Sequence, residues 1–383
     1  MTMRIAHVAN FYGPRSGGLR TTMLHLANGY HEQGNQVMIV VPGRRFVIEA
    51  QPYGYLLTLP SIRVPFSGGY RLIVGLGRAR HMLTSFSPHV LEVSDRTTLI
   101  GLGNWARRNG IRTTVFSHET LEGLFHRFLP FSNRLIPLAR WWNRRLASVF
   151  DEVVATTKFA AREFIEIGVA NLRVVPLGVD LDQFSPESFD ASLRQKLCEG
   201  ADTLLVHCGR LSPEKCPERS IEVLRHLVGS GWNARLVIAG DGPTRKKLER
   251  SAAGLPVTFL GFVNDRSSLA SVLACADVVI APGPLETFCL AALEALATGT
   301  PVVASGSSAV REVLGVDELR HSGGAVAFDS DESFVDAVIR VMAQPEDVRR
   351  ADSRRRAERY PWWLTVEHML CSYREKSGLA RAS

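Results

Sequence analysis

The chain has 383 residues, 45% of them apolar, and a net charge of +7. That length suggests two domains of ordinary size with substantial cores. Its six cysteines show no C-x-x-C metal spacing and no apolar run reaches 18 residues, so neither a zinc ribbon nor a membrane-spanning helix is expected.

The charge is uneven: residues 1–180 carry 21 Lys and Arg against 11 Asp and Glu, and the remainder 24 against 27. A basic first half predicts an anionic partner, such as a membrane surface or a phosphorylated substrate. No DNA- or RNA-binding motif accompanies it, so no nucleic-acid partner is expected. Met1 to Arg4 runs straight into an apolar segment without a signal-peptide core. With the scattered cysteines, this predicts a cytoplasmic protein.

The chain opens as strand, Gly-rich loop and helix: Ile5 to Asn10, then Phe11 to Arg20 with Gly17-Gly18, then Thr21 to Gln33, with the next strand over Gln36 to Val41. This is a βαβ unit without the G-x-G-x-x-G dinucleotide fingerprint. Gly17 and Gly18 before a helix permit close backbone approach to a phosphate, or form a plain turn. Strands follow at Leu56–Leu59, Val90–Val93 and Thr113–Ser117. His118 stands at the carboxyl end of the last of these, where ligands collect in open α/β sheets, and Asp95 is a weaker candidate for an acceptor contact.

Residues 122–148 interleave aromatic and apolar side chains with Arg127, Arg134, Arg140, Arg144 and Arg145, and include Trp141 and Trp142. That density suits an interfacial helix on anionic lipid; an ordinary core helix with solvated arginines reads the same way. Asp151 to Thr157 reads as the last inner strand of the first half. The boundary is expected near residue 183, after Pro176-Leu177-Gly178-Val179-Asp180 and before Phe184.

The βα rhythm restarts with a strand over Thr203–Cys208 and a loop carrying Arg210, Glu214 and Lys215. Two cations at a strand end suit a diphosphate whose charge grows on departure. The strand Arg235–Ala239 ends in Gly240-Asp241-Gly242-Pro243, and Val257–Leu260 ends in Gly261-Phe262-Val263-Asn264-Asp265. Asp265 suits the two N–H donors of a guanine edge, or caps the next helix. The apolar run Ala276–Ala281 then meets a Pro/Gly loop and the helix Leu290–Thr298. Glu286 lies in the loop and Glu294 two turns into the helix on nearly the same face, flanking a helix N-terminus suited to anions. A strand over Thr300–Ser305, a helix over Asp331–Met342 and a last helix begun by Pro361 complete the pattern, the aromatic face of that last helix expected to be buried.

The spacing Glu286-x7-Glu294 after a strand, the segment Gly209-Arg210-x3-Glu214-Lys215 and the segment Pro176-x-Gly178-Val179-Asp180 resemble the retaining glycosyltransferases of family 4, over nearly the whole chain. The resemblance implies an α/β fold of the GT-B type, two Rossmann-like domains facing across a deep cleft: residues 1–182 for acceptor and membrane, 183–360 for the sugar nucleotide. It also implies that the helix over about 361–376 packs back onto the first domain. In its terms Glu286 contacts the donor sugar, Glu294 the ribose, Arg210 and Lys215 the diphosphate with Glu214 orienting them, and Gly17 and Gly18 the donor phosphate. His118 would face the sugar's 6-hydroxyl and the Val263 backbone the base. Gly240, Asp265, Phe288, Cys289 and Leu290 would complete the donor pocket. Cys289 departs from the glycine usual in the family at this point, which leaves donor choice less certain.

The segments Val8–Thr21 and Val206–Ser212 resemble the branch that moves mannose from GDP-mannose to phosphatidylinositol mannosides. That implies a sugar-nucleotide donor substrate, a glycolipid acceptor, no metal or other cofactor, and peripheral association with the inner face of the plasma membrane. The oligomeric state stays open. So do a UDP-sugar donor, a soluble inositol-type acceptor and a non-catalytic sugar-nucleotide-binding protein. A Rossmann oxidoreductase is disfavoured because neither first helix follows G-x-G-x-x-G.

Overall fold

The computed structural model describes residues 2–13, 17–64, 70–118, 120–121, 135–317, 322–328 and 330–375. The chain divides into two compact units, Met1–Leu177 together with Trp362–Ser383, and Gly178–Pro361.

In the first unit the strands are β1 Arg4–Ala9, β2 Gln36–Gly43, β3 Val47–Gln51, β4 Gly54–Pro60, β5 Ile62–Arg63, β6 Arg71–Leu72, β7 Val90–Ser94, β8 Arg112–Ser117, β9 Glu152–Ala155 and β10 Leu172–Val174. Eight of them form one sheet in the order β10-β9-β8-β7-β1-β2-β4-β3, and β5 and β6 pair separately. Every pairing in the large sheet is parallel except β3 with β4. The central strands are apolar on both faces because helices cover both sides: Ile5, Ala6, Val8, Leu91, Val93 and Val115 are all fully buried. The strand order reverses between β1 and β7, and at such a switch point the loops leaving the two carboxyl ends part to opposite faces and leave a crevice.

The last helix, Trp362–Glu375, belongs to this first unit. It lies against the helix Gly18–Glu32, where Trp362 stacks on His25 with ring centroids 4.7 Å apart. Gly29 makes the close crossing feasible, since a Cβ there would sit 2.4 Å from Val366 Cγ2. The expected burial of its aromatic face is split. Trp362 is buried while Trp363 is 64% exposed, as adjacent helical positions point about 100° apart.

The second unit holds β11 Thr203–Cys208, β12 Ala234–Ala239, β13 Val257–Gly261, β14 Val278–Ala281, β15 Val302–Ser305 and β16 Gly324–Ala327. They form a six-stranded parallel sheet in the order β13-β12-β11-β14-β15-β16. Its helices start on local signals: Asp190, Asp265 and Ser330 each accept a hydrogen bond from a main-chain N–H three residues on. Here the order reverses between β11 and β14, so the loops after those two strands frame the crevice. Among the described residues no helix is long and apolar enough to cross a membrane.

Candidate functional site

The switch point of the second unit is framed by two loops, one carrying Arg210, Glu214 and Lys215 and the other Glu286, Phe288 and Cys289. Lys215, after β11, and Glu286, after β14, meet across it: Nζ donates to Oε1 at 2.6 Å. Gly283 lets the loops approach, because a Cβ there would lie 3.3 Å from the Lys215 Cα and 3.4 Å from the Glu214 carbonyl oxygen. Burial works against the charged lysine, but the Glu286 carboxylate outweighs it and holds Lys215 above its ordinary value. Glu214 accepts a hydrogen bond from the Ser212 hydroxyl within its own loop. Arg210 is half-buried at the start of the same loop.

Glu294 is buried, and Arg266 donates to its Oε1 at 2.6 Å. Burial raises the Glu294 pKa while the guanidinium opposes that rise. The Arg266 guanidinium in turn sits 4.6 Å from the centroid of the Phe184 ring, a cation–π contact that fixes its plane. Sequence reasoning missed Arg266. It is 28 residues from its partner, and no local pattern links the two; its one signal is a cation directly after a helix cap.

Asp265 accepts from the Ser268 N–H at 2.7 Å and the Ser268 hydroxyl at 2.6 Å. The helix-cap reading is therefore the one the structure displays, and the cap lowers the carboxyl pKa through those Ser268 bonds. Val263 is half-buried in the loop that follows β13. Gly240 is required by the fold. Its φ is +157°, and a Cβ would come within 1.8 Å of the Gly209 carbonyl oxygen. The loops after β11 and β12 are thus in direct main-chain contact, with Leu211 N–H bonding to Asp241 O at 3.1 Å.

Cys289 occupies the position before the helix Leu290–Ala297 with φ 71° and ψ 79°, in the left-handed region. That conformation explains why glycine suits this point, and why a cysteine here carries strain. Burial first, and the Glu286 charge second, push its thiol well above the usual range, so it stays protonated. Cys208, at the end of β11, is likewise pushed up to about 12, by burial and by Glu294. Phe288 is buried edge-on against Tyr360, with ring centroids 6.2 Å apart. Leu290 is the first residue of the helix, and the Ala292 and Leu293 N–H groups bond back to Cys289 O.

In the first unit, Gly17 and Gly18 are exposed at the start of the helix Gly18–Glu32. A Cβ on Gly17 would meet nothing within 4 Å, and its φ of −68° suits any residue, so the fold itself does not ask for glycine there. His118 follows β8 and is half-buried; its Nε2 lies 2.9 Å from Ser94 Oγ. Burial, with lesser contributions from His7 and Arg96, lowers its pKa to about 3, so it is neutral at working pH.

Asp95, the weaker candidate for an acceptor contact, is held within its own loop. Its carboxylate is buried and bound by Asn10 Nδ2 at 2.8 Å, the Thr97 and Thr98 N–H groups at 3.0 Å and both threonine hydroxyls. It tethers its own loop to the loop after β1.

Arg127 and Arg134 lie outside the described residues. The helix Ile136–Val149 buries Ala139, Asn143, Leu146 and Val149 and turns Leu138, Trp141, Arg144 and Arg145 to the surface. Trp142 faces inward, its indole N–H donating to Arg96 O at 2.7 Å, so it does not belong to the exposed apolar-basic face. Arg140 pairs with Glu166 at 3.2 Å.

Comparison with known proteins follows from this geometry. The family described as Glycosyltransferase Family 4 matches residues 16–183, and that described as Glycosyl transferases group 1 matches residues 189–358. A GDP-mannose-dependent alpha-(1-6)-phosphatidylinositol dimannoside mannosyltransferase of Mycobacterium tuberculosis is 46% identical over 371 residues, covering 97% of this chain and 96% of that protein. A D-inositol 3-phosphate glycosyltransferase of Geodermatophilus obscurus is 30% identical over 305 residues, 74% of this chain and 66% of that one. Among solved structures, a sucrose-phosphate synthase from Thermosynechococcus elongatus superposes with a TM-score of 0.76 at 18% identity, over 98% of this chain and 99% of that chain, which is a likeness of fold. Two Rossmann-like, mainly parallel sheets, a Lys–Glu pair at the switch point of one of them, and 46% identity to a mannosyltransferase over 97% of the chain converge: the chain is an enzyme of the GT-B fold and belongs to the glycosyltransferases of family 4.

Proposed function

We propose that this enzyme moves α-mannose from GDP-mannose to a phosphatidylinositol mannoside, as the third mannose in α-1,6 linkage, with retention of configuration. The observation that carries the reading is the 46% identity across 97% of the chain to a protein whose name states that donor, linkage and acceptor class. Physical chemistry supports the donor half. A sugar diphosphate needs cations that do not move when its leaving group charges, and Lys215 is held protonated beside Glu286 at a strand end.

In this proposal Arg210 and Lys215 neutralise the diphosphate, and the amides that open the helix Leu290–Ala297 add their dipoles. Glu286 takes the sugar hydroxyls and Glu294 the ribose, with Gly17 and Gly18 lending main-chain approach to the phosphate. The C1–phosphate bond breaks and the acceptor oxygen bonds C1 on the same face. The acceptor proton passes to the departing phosphate oxygen. No metal takes part, since the two side-chain cations carry that role. The exposed face of Leu138, Trp141, Arg144 and Arg145 supports a peripheral position on an anionic membrane surface, the apolar groups entering the interface and the guanidinium groups meeting phosphates.

The test is a donor panel of GDP-mannose, UDP-glucose, UDP-GlcNAc and UDP-galactose, titrated calorimetrically and then assayed with radiolabel on phosphatidylinositol mannosides. Label from GDP-mannose entering lipid, with an α-anomeric product by NMR, is the expected result. Turnover with a UDP-sugar, or of a soluble inositol phosphate, would overturn the donor or acceptor assignment.

A further inference from the structure

Glu294 and Arg266 do more than neutralise each other. Glu294 stands in the second turn of the helix Leu290–Ala297, and its two carboxylate oxygens are not equivalent. Oε1 accepts from Arg266 Nη2 at 2.6 Å, while no hydrogen-bond donor among the described residues reaches Oε2. Nor is Oε2 one of the buried atoms left unsatisfied, so it keeps an opening to the outside. The pair lies beside Cys208, the last residue of β11, whose thiol the Glu294 charge pushes up and the Arg266 charge pushes down. That places the carboxylate over a strand end at the switch point of the second unit.

The guanidinium is held on two sides. Asp265 caps the helix Arg266–Ala274 through the Ser268 N–H and hydroxyl, which fixes Arg266 as the first helical residue. The ring of Phe184, fully buried, lies 4.6 Å from the guanidinium carbon and gives it a platform that cannot swing. Exposure is unequal across the pair: 34% for the Arg266 side chain and 6% for that of Glu294. The carboxylate is therefore the partner that needs its counter-charge. Burial favours its neutral form and the guanidinium opposes this. A neutral carboxyl facing a guanidinium with Oε1 would carry its proton on Oε2, which would then donate. With Arg266 in place Oε2 is an acceptor. A flip of the carboxylate would break the charge-assisted bond at Oε1.

We infer that Arg266 is a positioning residue: by taking Oε1 it presents Glu294 Oε2 to the crevice as an acceptor only, so that the site demands a hydroxyl donor there, the ribose diol of a nucleoside diphosphate. This rests on the reading of Glu294 as the ribose contact and adds what makes that contact selective. A ligand lacking the hydroxyl leaves Oε2 facing a group that cannot donate, and such a site rejects it.

Titration calorimetry of the full chain with GDP, 2′-deoxy-GDP and 3′-deoxy-GDP tests this in wild type, Glu294→Gln, Arg266→Met and the double variant. Wild type should bind GDP at least about tenfold more tightly than one or both deoxy forms, the loss expected for a hydrogen bond to a charged group. In Arg266→Met that preference should shrink below about threefold, as it should in Glu294→Gln. The double variant should match Glu294→Gln within about twofold for every ligand, because Arg266 then has nothing left to act through. A wild type indifferent to both hydroxyls, or an Arg266→Met that keeps the full preference, would overturn the inference. So would a further loss of GDP affinity in the double variant, which would mean that Arg266 touches the nucleotide itself. Should Arg266→Met not fold with its buried carboxylate uncompensated, the double variant against Glu294→Gln carries the same test. Ribose is common to GDP and UDP. Binding of UDP alone would refute the GDP-mannose proposal and leave this one to be decided with 2′-deoxy-UDP and 3′-deoxy-UDP; a wild type that binds neither nucleotide refutes both.

Discussion

Replacing Glu286 with Gln separates two things that the carboxylate does. In the free enzyme it is the partner of Lys215, whose side chain is 33% exposed while that of Glu286 is 13% exposed. Breaking a fully buried ion pair costs about 3–5 kcal/mol because the survivor is left uncompensated. With a third of the lysine in water, solvent screening reduces that to about 1–3 kcal/mol. A unit of this size shifts its midpoint by roughly 2–4 °C per kcal/mol, so the second unit should melt about 2–12 °C earlier.

The sign with pH follows from Lys215. Its folded pKa is raised, so the contribution of the pair is fully present below the ordinary lysine value and is lost as pH rises through the folded one. The deficit of Glu286→Gln should therefore be constant through neutral pH and close only in strong alkali. The ligand response should run the other way. A diphosphate is itself the anion that Lys215 lacks, and one like charge has been removed from beside it. GDP should bind Glu286→Gln as tightly as wild type or up to about tenfold more tightly, equivalent to ~1.4 kcal/mol. GDP-mannose, deprived of the sugar contact, should lose affinity relative to GDP. Differential scanning calorimetry with and without GDP, and titration calorimetry with both ligands, measure all of this. A variant whose melting is unchanged, or whose GDP affinity falls with its stability, would refute the reasoning.

Three further outcomes are expected. Gly240→Ala should destabilise the second unit by at least about 2 kcal/mol, since its Cβ would meet the Gly209 carbonyl at 1.8 Å in a backbone region closed to side chains; denaturant midpoints test it. Cys289→Gly should raise stability by about 1 kcal/mol through relief of the left-handed φ of 71°; a denaturant midpoint that falls would refute the strain. Replacing Leu138 and Trp141 with Ser and Arg144 and Arg145 with Gln should reduce sedimentation with phosphatidylinositol-rich vesicles, each Arg contributing about 1 kcal/mol, while Trp142, bonded to Arg96 O, serves as the variant that instead lowers stability.

Much of the architecture is legible locally. A parallel strand covered on both faces must be apolar throughout, so Ala276–Ala281, Thr203–Cys208 and Val90–Val93 announce themselves, and the structure has strands at Val278–Ala281, Thr203–Cys208 and Val90–Ser94. Helix starts are equally local where Asp or Ser caps the third N–H, as at Asp265 and Ser330. Among the site residues, the Glu286 and Glu294 spacing and the Arg210 to Lys215 loop are visible because each sits within one turn or two of a strand end. The short helices Gly77–Phe86 and Val310–Leu314 carry no strong periodicity and are not evident from the sequence.

Partners are another matter. Lys215 and Glu286 are 71 residues apart, Arg266 and Glu294 28, and Tyr373 and Glu92 281. No window of sequence contains such a pair, and a charged residue looks the same whether it is solvated or matched. The sequence by itself determined that this chain would form two parallel-sheet halves with charged loops at strand ends, because periodicity, glycine and capping act over a few residues. Tertiary structure decided what those charges do. It tied Asp95 to Asn10 on another strand's loop and gave Lys215 and Glu294 their counter-ions, because desolvation and ion pairing depend on neighbours that the fold alone brings within 3 Å.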